Sequence, residues 1–283
     1  MLTAFILTKN EKIHLERCIE SLLPICEEIF IIDSGSTDTT LEIAERLGAK
    51  IFQNPWPGSH AKQINWALEN CPFKSPWIMR LDADEYLSSD LLQEIPEKLP
   101  LLGEEISGIE LPRKVIFQGH WIKNGGFYPI NLLRIWRRGK GKSEDRMMDE
   151  HIILSEGKIT RFKEDIIDEN LNNHAWWKEK HLNYAKQEAK DYYLDKNRNE
   201  GKNLKEGEAV EQAIKKRKLK VNYYNKLPLF FRVMVYFIFR FILQKGFLDH
   251  PIVWKFHFKQ GLWYRWQVDY EILKLYFSKK SKK

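Results

Sequence analysis

Cysteine is scarce in this chain of 283 residues, which contains three. Cys18, Cys26 and Cys71 form no Cys-x-x-Cys pair and leave an odd count, so the sequence favours neither a disulfide framework nor a cysteine-based metal site. We therefore expect reduced cysteines that pack in the interior of a cytosolic protein. A glycine-rich phosphate loop near the amino terminus is also missing. The start of the chain lacks a basic region, so we expect no secretory signal.

Uninterrupted apolar stretches are lacking as well, and the longest candidate covers residues 227–243. Arg232 and Arg240 interrupt it, and each would be costly at the centre of a bilayer. On a helix the two arginines and Tyr236 share one face, which is typical of an amphipathic helix lying in a membrane surface. The net charge of +7 suits anionic lipid. Aromatic residues typical of membrane interfaces follow at Trp254, Phe256, Phe258, Trp263, Tyr264 and Trp266.

What the chain does have is a regular alternation of strand and helix patterns at its amino terminus. Apolar strand runs at residues 2–7, 29–32 and 49–53 alternate with helical patterns at 15–23 and 39–47. Such alternation predicts a parallel sheet with right-handed crossovers. The strands end in polar residues, which should gather at the carboxyl edge of the sheet, where open α/β sheets bind their ligands.

The segment 77–85 carries the clearest chemical signal. It reads as a short strand that runs into Asp82 and Asp84. This Asp-x-Asp spacing suits a hard divalent cation, and Mg²⁺ is usually held by one or two carboxylates together with phosphate oxygens. The pattern therefore suggests a metal-bridged diphosphate, with surface-loop acids as the alternative interpretation. Asp33 ends the strand at 29–32 in the same way and could hydrogen-bond a base or ribose, whereas Asp38 could simply cap the next helix.

Four short motifs in order resemble those of a bacterial family-2 glycosyltransferase. They are Thr-Lys-Asn-Glu at 8–11, Ile-Ile-Asp-Ser-Gly-Ser-Thr-Asp at 31–38, Ala-Lys-Gln-Ile-Asn-Trp-Ala-Leu at 61–68 and Arg-Leu-Asp-Ala-Asp-Glu at 80–85. Each motif alone is weak, but the four at compatible spacing are specific. The closest branch acts in lipopolysaccharide core, capsule or exopolysaccharide synthesis. The resemblance implies an α/β, Rossmann-like GT-A fold that binds a nucleotide-diphospho-sugar, here with a helical, amphipathic C-terminal extension.

The resemblance also implies roles for individual residues. A divalent cation, Mg²⁺ or Mn²⁺, would be bound directly by Asp84, with Asp82 and His174 as weaker candidates; His174 could equally be structural. Asp149 or Glu150 would be the catalytic base of an inverting enzyme, unless this pair is a solvated acidic turn. The implied donor-binding residues are Thr8, Asn10, Glu11, Asp33, Lys62 and Asp82.

The resemblance and the composition together predict the organisation of the chain. We expect a catalytic domain at 1–175, with a nucleotide-sugar half at 1–100 and an acceptor half at 101–175. A helical region at 176–283 would contact a membrane surface through 227–270, unless that region packs on the catalytic domain or forms a dimer interface. Trp121 and Tyr128 are candidates for contact with the acceptor sugar, or core aromatics.

The expected activity is transfer of a sugar, with a UDP-sugar as the expected donor, to a hydroxyl of a glycan or lipid-linked acceptor. The expected location is the cytoplasmic face of the inner membrane. A nucleotidyltransferase acting on sugar phosphates and a non-catalytic basic membrane-binding protein are the alternatives. Since no nucleic-acid-binding motif is present, we expect no nucleic-acid partner.

Overall fold

The computed structural model describes residues 1–144, 151–198 and 211–280. Within them the strands are β1 Leu2–Thr8, β2 Glu28–Asp33, β3 Lys50–Gln53, β4 Trp77–Asp82, β5 Glu85–Leu87, β6 Ile106–Phe117, β7 His120–Trp121, β8 Ile130–Arg137, β9 Gly141–Ser143, β10 Ile152–Leu154, β11 Lys158–Arg161 and β12 Ile166–Glu169. The α-helices are α1 Leu15–Leu22, α2 Thr40–Arg46, α3 His60–Asn70, α4 Ser89–Lys98, α5 His174–Arg198, α6 Glu211–Asn222, α7 Phe231–Ile238, α8 Pro251–His257 and α9 Tyr264–Lys280.

These elements form two compact units. In the described part of the chain, the first unit takes in Met1–Ile116 and Pro129–Leu171. The second takes in Phe117–Tyr128 and most of the residues that follow Leu171. The predicted division at residue 175, with a further division at 100, stays a prediction.

The first unit is built on a mixed sheet whose strand order is β3-β2-β1-β4-β8-β6-β12-β5. The pairs among β3, β2, β1 and β4 are parallel, as the alternation of strands and helices predicts. β8 then runs antiparallel between β4 and β6, which makes the second half of the sheet mixed. The sheet and the crossover helices give the Rossmann-like α/β architecture expected of a GT-A fold.

Burial of both sheet faces explains why the first strands read as continuous apolar runs. Phe5, Ile6 and Ile31 are fully buried, because a parallel sheet with helices on both faces leaves no strand face in water. The helical pattern at 15–23 predicts an apolar stripe made of Leu15, Cys18, Ile19, Leu22 and Leu23. The first four lie in the same hydrophobic core, whereas Leu23, just after α1, is 49% exposed.

The second unit is mainly helical, as predicted for the region after residue 176. Ala185 and Ala189 of α5 pack against Tyr264, Val268 and Ile272 of α9. Two alanines at i and i+4 leave room for the larger side chains of the facing helix. No helix among the residues 1–144, 151–198 and 211–280 combines the length and hydropathy that a membrane span needs.

The expectation for residues 227–243 needs a correction. The helix is interrupted, because α7 gives way to a π-helical turn at Phe239–Leu243. Arg232, which we expected on the polar face of an amphipathic helix, is buried, and it is paired with Asp269. Side-chain spacing places the arginines on one face of the helix, but only tertiary packing decides whether that face points inward or outward.

Candidate active site

Three strand ends lie side by side at the carboxyl edge of the sheet. Strand register places Thr8 opposite Asp33 and Leu7 opposite Asp82. The convergence of polar strand ends that the sequence predicts is therefore present. The roles of these residues in donor binding stay predictions.

Asp33 is fully buried and organises the loop that follows β2. One carboxylate oxygen accepts hydrogen bonds from the backbone N–H groups of Gly35 and Ser36, both at 2.8 Å. The other accepts from the hydroxyls of Thr8 at 3.0 Å and Ser36 at 2.5 Å. Because both oxygens are occupied, Asp33 holds the loop at 34–37 more directly than it offers a free acceptor to a base.

Asn10 ties the end of β1 to the same loop. Its backbone lies in the left-handed region at φ 57°, which asparagine tolerates better than most residues. Its N–H donates to the Ser36 hydroxyl at 2.8 Å, and its side-chain oxygen accepts from the Thr37 N–H at 2.8 Å. Asn10 and Asp33 therefore fix one loop from two neighbouring strands.

Glu11 is oriented by a buried histidine. His14 Nε2 accepts a hydrogen bond from the Leu171 N–H at 2.9 Å, so the ring proton lies on Nδ1. Nδ1 then donates to Glu11 Oε2 at 2.7 Å. The contact holds Glu11 toward the strand ends and also fixes the end of the segment that follows β12.

The first acid of the Asp-x-Asp pair is fully engaged with arginines. Arg80 donates to one oxygen of Asp82 at 2.7 Å, and Arg134 of β8 donates to the other at 2.9 Å. Burial opposes ionisation of Asp82, but attraction to Arg80 and Arg134 outweighs it and lowers the pKa of the carboxyl. Arg134 also contacts the buried Glu85 at 2.5 Å, while Glu85 accepts from the Asp82 N–H at 3.1 Å.

The second acid, Asp84, is held differently. Its side chain accepts one hydrogen bond, from Asn170 Nδ2 to Oδ2 at 2.8 Å. It makes no ion pair within the described residues, whereas Asp82 makes two. Oδ1 of Asp84 is thus available to a hard cation, and a single carboxylate completed by phosphate oxygens is an ordinary Mg²⁺ arrangement. The donor chemistry fits the predicted metal role of Asp84 better than that of Asp82.

No cluster of three or more His, Cys, Asp or Glu side chains with metal-binding geometry occurs in the parts of the chain that the structure describes. His174, the weaker third candidate, begins α5 in the second unit and lies exposed against the ring of Trp177.

The segment that ends β12 contributes residues that the sequence did not single out. Glu169 accepts from Arg17 Nη1 at 2.6 Å, and its N–H donates to the Asp84 carbonyl at 3.1 Å. Burial raises the pKa of Asp168 to about 7, with Arg113 opposing this and Asp84 adding to it. Antiparallel pairing of β12 with β5 places Asp168 opposite Glu85, next to the Asp-x-Asp turn.

Other predicted residues are placed as follows. Lys62 lies exposed in the first turn of α3. Asp149 and Glu150 lie outside the described residues. Trp121 and Tyr128 belong to the second unit, where their rings meet edge to face at 4.9 Å.

A local signal existed for only some of the missed residues. Arg80 precedes Asp82 by two positions, so the two side chains share a strand face and their pairing could have been predicted. Arg134 and Asn170 reach the site from strands or loops far along the chain. Nothing local in the sequence marks them as neighbours of the acids.

Comparison with known proteins identifies the class that this sheet and its acidic edge define. Residues 3–171 match the model of the family described as glycosyl transferase family 2. Because the match covers more than half of the chain, the protein belongs to that family, and it is a family-2 glycosyltransferase with a GT-A fold.

Two relatives are similar to part of this chain. The chain is 36% identical to the lipopolysaccharide core biosynthesis glycosyltransferase LpsC of Rhizobium meliloti over 168 residues, which are 56% of this chain and 58% of LpsC. It is 47% identical to an uncharacterized glycosyltransferase of Rickettsia bellii over 94 residues, 33% of this chain and 31% of that protein. The chain therefore matches less than two thirds of either relative. The resemblance that the sequence motifs predict thus includes a lipopolysaccharide core enzyme among the similar proteins.

A solved structure that is similar to part of this chain is that of glucosyl-3-phosphoglycerate synthase of Mycobacterium tuberculosis, in complex with Mn²⁺, UDP and glucosyl-3-phosphoglycerate. The TM-score is 0.32 at 23% identity, over 42% of this chain and 44% of that one. A further structure of that enzyme contains Mg²⁺ and UDP. At this level of similarity no residue of one protein can be matched to a ligand contact of the other.

Proposed function

We propose that this glycosyltransferase moves a sugar from a nucleotide-diphosphate donor, with UDP as the nucleotide, to a hydroxyl of a glycan or glycolipid acceptor. The acceptor belongs to cell-envelope polysaccharide or lipopolysaccharide synthesis, and the reaction depends on a divalent cation and inverts the anomeric centre. One observation supports the donor site most directly. Both carboxylate oxygens of Asp82 accept hydrogen bonds from arginines, whereas Asp84 keeps one carboxylate oxygen available to a cation. Similarity to LpsC supports the acceptor class.

The residues divide the work as follows. Asp33 and Asn10 hold the loop at 34–37 against the strand ends, where a nucleoside would lie. Asp84 would hold Mg²⁺ or Mn²⁺, which when bound stabilises negative charge on the departing diphosphate. Asp149 or Glu150 stays the candidate base that takes the proton of the acceptor hydroxyl. Inversion needs one displacement and no covalent intermediate.

The proposed location is the cytoplasmic face of the inner membrane, where a lipid-linked acceptor is within reach. The second unit would supply the membrane contact, through residues 227–270. A basic chain is drawn to the anionic headgroups of such a membrane, and the net charge of +7 has the required sign.

The donor site is tested by thermal unfolding in the presence of nucleotides, with and without Mg²⁺ or Mn²⁺. A ligand at about 100 times its Kd adds roughly 2.7 kcal/mol of stability, which for a chain of this size is roughly 5–11 °C in Tm. We expect a metal-dependent shift with UDP or a UDP-sugar. Asp84→Asn should abolish the metal-dependent part and the release of UDP during transfer.

Asp90→Asn is the matched control, because Asp90 is an exposed acid of the same unit. It should retain both the shift and the activity. A UDP shift with full metal dependence in Asp84→Asn would refute the metal assignment. If no nucleotide stabilises the unaltered protein under any metal condition, the proposed donor chemistry is wrong.

A further inference from the structure

The segment 231–243 of the second unit presents a surface that is unusual for a water-soluble helix. Its exposed positions recur at the helical spacing of three and four residues, and every one of them is apolar. Exposure reaches 57% at Phe231 and 69% at Leu243. We call these side chains the outward stripe, which consists of Phe231, Met234, Val235, Ile238, Phe239, Ile242 and Leu243.

The polar side chains of the same segment point inward. Arg232 is 1% exposed and pairs with the fully buried Asp269. Arg240 donates to the Gly125 carbonyl at 2.5 Å and to the Tyr236 hydroxyl at 2.6 Å. The arginines are therefore already engaged inside the unit, next to the fully buried Val233, and the side of the segment that faces water is apolar.

The outward stripe continues into the next turn. Phe247 and Leu248, in the short 3-10 helix Gly246–Leu248, are 43% and 61% exposed. Trp254 and Phe258 are exposed on and just after α8. The rings of Phe247, Trp254 and Phe258 all lie against the ring of Phe241, which belongs to the segment 231–243. The exposed apolar residues are therefore grouped, and such a group marks an interaction site, whereas single scattered apolar residues would need no explanation.

Charge around the stripe selects the type of partner. Between residues 219 and 270 the sequence contains only two acids, Asp249 and Asp269, and both are buried in the unit. Asp249 pairs with His257 at 2.9 Å, and Asp269 pairs with Arg232. Exposed lysines are present at positions 226, 245 and 255. The rim is therefore basic, which favours an anionic surface and would repel a second copy of the same stripe.

We propose that the outward stripe docks on the surface of an anionic lipid bilayer, with its side chains entering the boundary between headgroups and acyl chains. Helices that lie in this boundary bury an apolar face and bring cationic side chains to the headgroups. The inference rests on the proposed function for its purpose, because it gives the transferase access to a lipid-linked acceptor. Its physical support comes from the second unit alone.

The experiment is flotation of the full chain with two kinds of vesicle, phosphatidylcholine alone and phosphatidylcholine mixed with phosphatidylglycerol. We expect the unaltered protein to float with the mixed vesicles and to bind phosphatidylcholine more weakly. Added salt should reduce binding to the mixed vesicles without abolishing it, because only the electrostatic part is screened. The double variant F239E/L243E should bind the mixed vesicles at least about tenfold more weakly, a difference of about 1.4 kcal/mol.

Leu101→Glu is the matched control, since Leu101 is 81% exposed and lies in the first unit. It should bind vesicles like the unaltered protein. Equal vesicle binding by F239E/L243E would overturn the proposal, and so would a failure of the unaltered protein to bind mixed vesicles. A dimer in vesicle-free solution that F239E/L243E dissociates would identify a second copy as the occupant instead.

The same variants separate this proposal from the proposed activity. F239E/L243E should keep the nucleotide- and metal-dependent thermal shift, because the stripe is no part of the donor site. Asp84→Asn should float with mixed vesicles like the unaltered protein. If the unaltered protein shows the nucleotide shift but does not bind mixed vesicles, the docking proposal alone is wrong. If it binds mixed vesicles but shows no nucleotide shift, the proposed donor chemistry alone is wrong.

Discussion

The acids and arginines at the carboxyl edge of the sheet form a cluster that we call the acidic rim. Arg134 should be the residue on which the structure of this rim depends most. It is 4% exposed and lies between Asp82 and the buried Glu85. Replacing it with methionine keeps much of the side-chain volume but leaves Glu85 without its cationic partner. Breaking a buried ion pair by removing one partner costs roughly 3–5 kcal/mol, because the remaining charge stays buried.

The loss of stability in Arg134→Met should come from Glu85 more than from Asp82. The Glu85 side chain is 1% exposed, whereas that of Asp82 is 36% exposed and can regain water. A loss of roughly 3–5 kcal/mol should lower Tm by about 6–20 °C in a chain of this size. The double variant Glu85→Gln, Arg134→Met removes the uncompensated charge, so it should recover much of that loss.

Thermal unfolding followed by circular dichroism measures both variants. Arg46→Met is the matched control, since Arg46 forms an exposed pair with Glu16 and such pairs contribute about 0–1 kcal/mol. If Arg134→Met unfolds within about 2 °C of Arg46→Met, Arg134 does not neutralise buried charge at this site. Failure of Glu85→Gln to rescue any stability would show that the loss has another cause.

Two further predictions concern titration and thiol reactivity. Burial lowers the pKa of His181 to about 4, below its ordinary value of 6.5, so the unfolded chain takes up the proton first. The stabilisation present above about pH 6.5 should therefore be lost as pH falls toward 4. The urea midpoint should fall less over that range in His181→Asn, and equal pH dependence would contradict the assignment. Burial raises the pKa of Cys26 to about 12 and of Cys71 to about 11, and Cys18 is fully buried. Native protein at pH 8 should thus react with Ellman's reagent far more slowly than urea-unfolded protein, and rapid labelling of even one native thiol would refute this.

The sequence contained most of the information about the first half of the sheet. Each of the strands β1, β2 and β4 combines an apolar run with a polar end, so their common edge could be predicted from local pattern and the rule for parallel crossovers. The parallel register of β1 and β2, which sets Thr8 beside Asp33, confirms that these strand ends share one edge. Predicted helices at 15–23 and 39–47 correspond to α1 and α2 within two residues at each end.

The rest depends on contacts between distant segments. Nothing near Asp82 indicates that β8 will insert antiparallel beside β4 and bring Arg134 to the carboxylate. Asn170 reaches Asp84 across 86 positions of sequence. The outward stripe shows the same limit, because the spacing of Arg232 and Arg240 defines a helix face without revealing that Asp269 and Gly125 would draw it inward.

The balance of charge at the rim gives a physical reason for the different roles of the two acids. Four carboxyl groups lie together there with three guanidinium groups. They are Asp82, Asp84, Glu85 and Asp168 with Arg80, Arg113 and Arg134. Among the described residues, Asp84 is the acid of this group that has no guanidinium partner. The Asp84 carboxylate, whose charge no guanidinium group offsets directly, attracts a cation but would repel a diphosphate. A divalent cation held by Asp84 would reverse the sign of the rim, so metal and donor should bind in a mutually dependent way. Because both oxygens of Asp82 accept hydrogen bonds from arginines, Asp84 is the carboxylate that should determine the affinity for the metal and for the donor.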